Sequence, residues 1–367
     1  MSNFRIRMPR LRSARRRGEL VGLDIGSSTV KAVELVDHGR ENGFELVSLG
    51  IAPVAAEAIV EGAFLDPCAV VRAVREAIER GEIRTKQVAV AVSGHSVIVK
   101  KVSVPRQSRK DLEDSIQWEA EPFIPFDVNE VHLDFQILDG ADNDPQMDVL
   151  LVAAKKELVD DYVQVIREAG LEPACVDVAG FAVENAFEAN AEIAEDENVA
   201  LVNIGAHVVN INVIQGRVPA FTRDITVGGN QYTEEIQRAL SLDFVDAERI
   251  KLGEAGESAN LEGSPQEVDR AVAQVTEDVV EEIGRSLEFF AATAGDQRLE
   301  RLVLCGGGSK VTGLEEAFAA RTGFTVERLD PLARALPQDR FDAEFLDSVG
   351  PTLGVGVGLA LRRLAHG

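Results

Sequence analysis

Leu23-Asp24-Ile25-Gly26-Ser27-Ser28-Thr29-Val30-Lys31 joins an apolar run over residues 19–25 to a second over 30–36. Two strand-like runs joined by so short a turn make an antiparallel hairpin, not a strand-helix-strand unit. Gly26, Ser27 and Ser28 have small side chains that let a ligand approach the backbone, and their amides can point inward, as a phosphate requires. Asp24 ends the first strand and faces the same space. A carboxylate there can position Mg²⁺ through water, because that ion keeps part of its hydration shell.

Working outward, a third apolar segment covers 44–53 and a helix 67–80, with Val70, Val71, Val74, Ala77 and Ile78 on one face at helical spacing. Residues 86–152 read as an inserted unit. It holds β-rich runs at 88–92 and 97–104, a helix at 108–121 closed by Pro122 and Pro125, and strands at 131–138 and 147–154. A helix at 155–169, a strand at 173–178 and a helix at 180–191 return the chain to the first unit.

The opening pattern then repeats. A strand at 199–204 runs into Gly205-Ala206-His207, followed by strands at 208–214 and 218–226. Helices are expected at 229–240, 246–252 and 265–294, and a strand at 301–305 enters Gly306-Gly307-Gly308-Ser309, with a helix from about 311. An apolar helix at 354–365 closes the chain. The repeat predicts two pseudo-symmetric α/β domains facing one another across a cleft, with boundaries at 19–191 and 192–347, a tail at 1–18 and a closing segment at 348–367.

The turns differ in chemistry. Asn203 stands where the first turn has Asp24; an amide can hydrogen-bond a phosphate or a metal-bound water but brings no negative charge and no general base. His207 is either a further donor or a plain turn residue. Three consecutive glycines cost chain entropy and make sense where backbone must lie against a ligand.

The 367-residue chain has a formal net charge of −24, which argues against nucleic acid as the main ligand. Arginines crowd the first seventeen residues with no acidic residue before Glu19. That segment reads as a solvated tail or as a contact for anionic lipid or an acidic partner. No apolar run of signal-peptide or membrane-spanning length is expected. Cys68, Cys175 and Cys305 are far apart and define no metal or disulfide framework. A cytoplasmic location is the resulting expectation.

Three glycine-bearing turns in this order resemble the superfamily of actin, sugar kinases and heat-shock chaperones. The resemblance implies an actin-like ATPase fold, with ATP and Mg²⁺ held by Asp24, Gly26, Ser27, Ser28, Thr29 and Lys31. It adds Asn203, Gly205, Ala206 and His207 in the second turn, and Gly306, Gly307, Gly308 and Ser309 in the third. Gly228, Gly229, Glu235 and Lys251 match positions that enclose adenine and ribose. Asp177, at the end of a strand, matches the cleft base, where it either orders an attacking water or caps the next helix.

Within that superfamily, Trp118-Glu119-Ala120-Glu121-Pro122-Phe123-Ile124-Pro125-Phe126 is similar to the inserted, FtsA-type subdomain of the PilM family of type IV pilus assembly proteins. The resemblance implies an ATP-binding adaptor that holds the N-terminal cytoplasmic tail of the inner-membrane protein PilN. It also implies contacts with other pilus inner-membrane and motor components, and membrane contact mainly through the partner. Trp118, Phe123, Ile124 and Phe126 would wall the peptide groove, or belong to the subdomain core.

Two departures bear on turnover. The family usually has an acidic residue where this chain has Asn203, and a threonine nearest to Asn210. Tight nucleotide binding with slow or absent hydrolysis is therefore expected. The alternatives are a small-molecule kinase, for which Asp177 is the one base that can be nominated, and an FtsA-like polymerising scaffold. Against the latter, the final helix matches the superfamily's closing helix, not a membrane anchor.

Overall fold

The computed structural model describes residues 20–362 apart from 39–42, 61, 139–143, 195–196, 217, 254–264, 294–297 and 337–339. The arginine-rich segment lies outside the described residues. The first half runs β1 (Val21–Ile25), β2 (Thr29–Asp37), β3 (Phe44–Pro53), the two-residue strands β4 (Ile59–Val60) and β5 (Ala63–Phe64), and α1 (Pro67–Arg80). It continues with β6 (Gln87–Val92), β7 (Val97–Pro105), α2 (Arg109–Ala120), β8 (Val131–Ile137), β9 (Gln146–Lys155), α3 (Lys156–Glu168), β10 (Glu172–Val178) and α4 (Ala179–Asn190). The second half comprises β11 (Asn198–Ile204), β12 (Val209–Gln215), β13 (Val218–Ile225), α5 (Gly229–Leu240), α6 (Phe244–Lys251) and α7 (Pro265–Thr293). After these come β14 (Arg301–Cys305), α8 (Leu314–Thr322), β15 (Thr325–Arg328), α9 (Ala343–Val349) and α10 (Gly354–Ala360).

Two five-stranded sheets, in the orders β10-β6-β1-β2-β3 and β13-β12-β11-β14-β15, carry the two halves. Each is built around the same hairpin: β1 pairs antiparallel with β2 and β11 with β12. A separate three-stranded sheet, β7-β9-β8, packs against α2.

The expected insert boundary is corrected by β6. This strand lies between β10 and β1, parallel to both, so it belongs to the first sheet, and the insert runs from after Val92 to the end of β9. The sequence carried the reason. Val88–Val92 is apolar without alternation and buried throughout, as befits a central parallel strand covered on both faces. By contrast β7 exposes Lys100 and Lys101.

Helix α1 begins where Asp66 accepts a hydrogen bond from the Ala69 amide at 2.9 Å, with Pro67 in its first turn. It buries the predicted face, Val70, Val71, Val74 and Ala77. Helix α10 packs on α4 and on the first sheet through contacts lined by small residues, and α4 also packs on β11 and β12 of the second half. A Cβ on Gly358 would overlap the Ala182 carbonyl, one on Gly22 would overlap the Gly356 carbonyl, and one on Gly356 would lie 2.8 Å from Val33 Cγ2. Backbone-to-backbone packing this close is possible only without side chains. The closing helix is shorter than the expected 354–365, and Arg362 turns inward instead of capping it toward solvent.

Candidate functional site

The two hairpin turns have the same geometry. Gly26 N–H donates to the Thr29 carbonyl at 3.1 Å, and Gly205 N–H donates to the Val208 carbonyl at 3.0 Å. No carbonyl among the described residues accepts from the amides of Ser27, Ser28, Ala206 or His207, so these donors can turn to an anion. One strand row back, Asp24 stands opposite Lys31, and Asn203 opposite Asn210.

In the first turn, Lys31 Nζ lies 3.1 Å from Asp24 Oδ2, with both side chains largely but not fully buried. A fixed cation and a carboxylate therefore stand together beside the open amides. Asp24 also faces the other half. Burial first, and the Asp24 charge second, push the Cys305 thiol up from its ordinary range. Cys305 is the last residue of β14, at the mouth of the third turn.

The second turn is walled on both sides. A Cβ on Gly228 would lie 2.5 Å from the Ala206 carbonyl oxygen. Gly229 and Asn230 at the start of α5 donate to the Gly205 and Ala206 carbonyls, each at 2.9 Å. His207 Nε2 lies 3.1 Å from Asn230 Nδ2. From the other side, Gly306 has φ +85°, and a Cβ there would overlap the Ile204 carbonyl and lie 2.6 Å from Asn203 Oδ1. A Cβ on Gly308 would overlap Ile204 Cγ2.

These contacts change the reading of the triple glycine. Gly306 and Gly308 are required by packing against β11, and Gly307 alone is exposed, with no atom within 4 Å of its would-be Cβ. Ser309 is fully buried and donates to the Gly306 carbonyl at 2.7 Å, so its hydroxyl serves the loop, not a ligand. A 3-10 turn, Gly307–Lys310, follows, and the helix expected from about 311 starts at Leu314 behind Gly313.

Lys251 is placed beside the second turn. Its Nζ donates to the Gly229 carbonyl at 3.2 Å and to Thr233 Oγ1 at 3.0 Å, and pairs with Glu248 at 2.6 Å. Glu235 points elsewhere, into an ion pair with Arg238 on the outer face of α5. Asp177 is corrected outright: its side chain is 1% exposed and ion-paired with Arg362. A carboxylate locked in a buried pair neither orders a cleft water nor serves as a base, which removes the group on which the kinase reading rests.

Of the four groove residues, Trp118 is 76% exposed, whereas Ile124 is buried among Leu112, Ile116, Val131 and Phe135 in the subdomain core. Ile124 is therefore a core residue. Phe123 and Phe126 are half-buried, and each ring lies under a lysine: Lys100 at 5.2 Å and Lys155 at 4.6 Å from the ring centroid.

Sequence reasoning missed Asp224, Gly94 and Thr233 as neighbours of the site. One signal was present: Asn210 and Asn212 interrupt an otherwise apolar strand that the structure buries completely up to Gln215. Buried amides need partners: Asn210 finds Asp224, which in turn accepts from Gly94, whereas Thr233 bonds Lys251 and gave no such signal.

The Cβ-intolerant cradle, the open amides and the Lys31 charge fit a nucleotide phosphate chain. Among the described residues no cluster of three or more His, Cys, Asp or Glu side chains is placed to hold a metal. A bound cation would thus depend on Asp24, water and phosphate oxygens, which suits magnesium.

Two facing α/β halves with paired glycine hairpins and a closing helix define an actin-like ATPase fold. MreB5 of Spiroplasma citri, solved bound to AMPPNP, matches over 94% of this chain and 95% of its own at TM-score 0.54 and 12% identity. The sequence profile of the type IV pilus assembly protein PilM matches residues 22–364, and the chain belongs to that family. A solved PilM-PilN type IV pilus biogenesis complex matches with TM-score 0.82 and 32% identity, covering 94% of this chain and 98% of that one. The cell division protein FtsA of Pseudomonas aeruginosa is 26% identical over 81% of this chain and 79% of its own length. FtsA of Bacillus subtilis is 24% identical over 63% of this chain, and the match spans only 57% of that protein. No helix among the described residues is long and apolar enough to cross a membrane.

Proposed function

We propose that this chain is a cytoplasmic ATP-binding adaptor of type IV pilus assembly that holds the N-terminal tail of a PilN-type membrane protein against its inserted subdomain. The observation that carries the reading is the likeness to a PilM-PilN complex over nearly the full length of both chains. The cleft supports its nucleotide half. Ser27, Ser28, Ala206 and His207 offer amides to the phosphates, Lys31 offers charge, and Gly307 and Lys251 bound the nucleoside side. Asp24 would hold Mg²⁺, which when bound neutralises phosphate charge.

With an amide at Asn203 and Asp177 locked to Arg362, neither of these positions offers a free carboxylate to orient an attacking water. Nucleotide is then a brace that fixes the two halves, not a fuel. The exposed Trp118 and the lysine-capped rings of Phe123 and Phe126 support a peptide surface, and the membrane is reached through the partner. Calorimetry with a PilN-type N-terminal peptide, with and without MgATP, tests the reading. Micromolar or tighter binding supports it, and absence of binding in both conditions overturns it.

A further inference from the structure

Asn203, Asn210 and Asp224 stand side by side on β11, β12 and β13, in register across the sheet. Asn203 Nδ2 donates to Asn210 Oδ1 at 2.9 Å, and Asn210 Nδ2 donates to Asp224 Oδ1 at 2.8 Å. The other carboxylate oxygen, Oδ2, accepts from the Gly94 amide at 2.5 Å. Gly94 lies between β6 and β7, on the strand connection that carries the inserted subdomain. Two residues on, just past the end of β13, Thr226 Oγ1 lies 3.1 Å from His95 Nε2.

The direction of this row is fixed by chemistry. An ionised carboxylate only accepts, so Asn210 must turn its NH₂ toward Asp224 and its oxygen toward Asn203. Asn203 must then give its NH₂ to Asn210, which leaves its Oδ1 beside Gly306 and the third turn. One charge at Asp224 thus sets the orientation of both amides, up to the edge of the second hairpin. Burial raises the Asp224 carboxyl, while the bonds from Asn210 and Gly94 and the nearby His95 oppose that rise. The ionised form is the one that can accept both bonds.

We propose that this row links the second hairpin to the inserted subdomain, with Asp224 as its positioning residue, so that nucleotide in the cleft fixes the subdomain through Gly94. The inference rests on the nucleotide-binding reading above. Its logic is that of linkage. Nucleotide bridges the first hairpin to the second, and the Asp224–Gly94 contact bridges the same two halves. Two bridges between the same bodies cooperate, and each strengthens the other by one coupling factor. The subdomain, carried on residues 93–97, is held in one orientation when both bridges are made.

Amide hydrogen exchange over residues 94–97 of the full chain, with and without Mg²⁺ and AMPPNP, tests this while calorimetry monitors nucleotide binding. In the wild type, nucleotide is expected to slow exchange there by about fivefold, the low end of coupling factors. Asp224→Ala is expected to lose that response yet bind nucleotide within about fivefold of wild type, at the low end of coupling factors. Asp224→Asn keeps the side-chain volume and at most one of the two accepted bonds, so an intermediate response is expected; it also serves if the alanine variant does not fold. Nucleotide that binds without slowing exchange at 94–97, or variants that respond like the wild type, would overturn the relay alone. Absence of nucleotide binding in the wild type would overturn the cleft reading, and the relay with it.

Discussion

The two hairpins share a backbone and differ in everything attached to it. At equivalent rows the first has Asp24 opposite Lys31, a charged pair, and the second has Asn203 opposite Asn210, a neutral one. Two residues further along the outgoing strand, the first has Val33, packed on Gly356 of α10, and the second has Asn212, bonded to Glu184 of α4 at 3.1 Å. Around the turns the contrast continues. The first leaves Ser28 exposed, and the second is clamped between Gly228 and Gly306. Duplicated geometry thus comes with different surroundings: one turn holds a charged pair beside open amides, and the other is built into the frame.

That difference predicts unequal tolerance to a single methyl. Gly306→Ala sets a side chain at positive φ against the Ile204 carbonyl and should cost about 3 kcal/mol or more. Gly228→Ala keeps an extended backbone (φ 174°) but drives a methyl into Ala206, for about 2–3 kcal/mol. Gly26→Ala, whose Cβ would be 3.1 Å from the Thr29 carbonyl, should cost about 1 kcal/mol. Urea unfolding midpoints rank the three. A first-turn variant as damaging as the second-turn ones would erase the contrast.

The Val33–Asn212 difference makes a pH prediction. Glu184 is fully buried, and burial first, then the charge of Glu188, push its carboxyl up to about 8 against the Asn212 bond that lowers it. The native state therefore holds a proton that the unfolded chain releases near pH 4.5. Stability from this group is complete below that value and is lost as pH rises toward 8, with a slope of up to about 1.4 kcal/mol per pH unit. Glu184→Gln should flatten the melting temperature between pH 5 and 8 and raise it at pH 8. An unchanged slope would show that Glu184 does not set this pH dependence.

The charge contrast itself is tested by exchange of residues. Asp24→Asn should weaken MgATP binding at least about tenfold, roughly 1.4 kcal/mol, and Mg²⁺ should no longer improve affinity. Asn203→Asp adds a negative charge to a polyanion site and should also weaken binding. Calorimetry with and without EDTA separates the two. Tighter binding by Asn203→Asp would mean that the second turn, too, is a metal position.

Much of this arrangement was legible in the residues, and the reasons are local. Hairpins, turn glycines and the α1 face follow from spacing over a few positions, so they could be read directly. What escaped depends on distant partners. Asp177 looks like a cleft carboxylate until Arg362, at the far end of the chain, folds onto it. Ile124 and Trp118 lie in one proline-broken stretch, yet only the packing of α2 sends one inward and the other into solvent. Gly306 and Gly308 resemble ligand-facing glycines because the need for a missing Cβ does not say which neighbour requires it. Asp224 was invisible because its partner, Gly94, belongs to the other half.

The smallest effect separates Glu235 from Lys251, two residues that the sequence placed alike on the nucleoside side. Glu235 pairs with an exposed arginine one turn away, and such surface pairs contribute about 0.5 kcal/mol or less. Lys251 joins α6 to α5 through Glu248, Thr233 and the Gly229 carbonyl. Lys251→Ala leaves Glu248 without its cation and Gly229 without a donor, and should cost about 1–2 kcal/mol. Because Gly229 also donates to the Gly205 carbonyl, that loss should reach the second hairpin and weaken nucleotide binding. Glu235→Ala should leave stability within about 0.5 kcal/mol and affinity close to wild type. If Glu235→Ala instead reduces ATP affinity as much as Lys251→Ala does, the outer face of α5 takes part in binding, and the second hairpin is more than a frame.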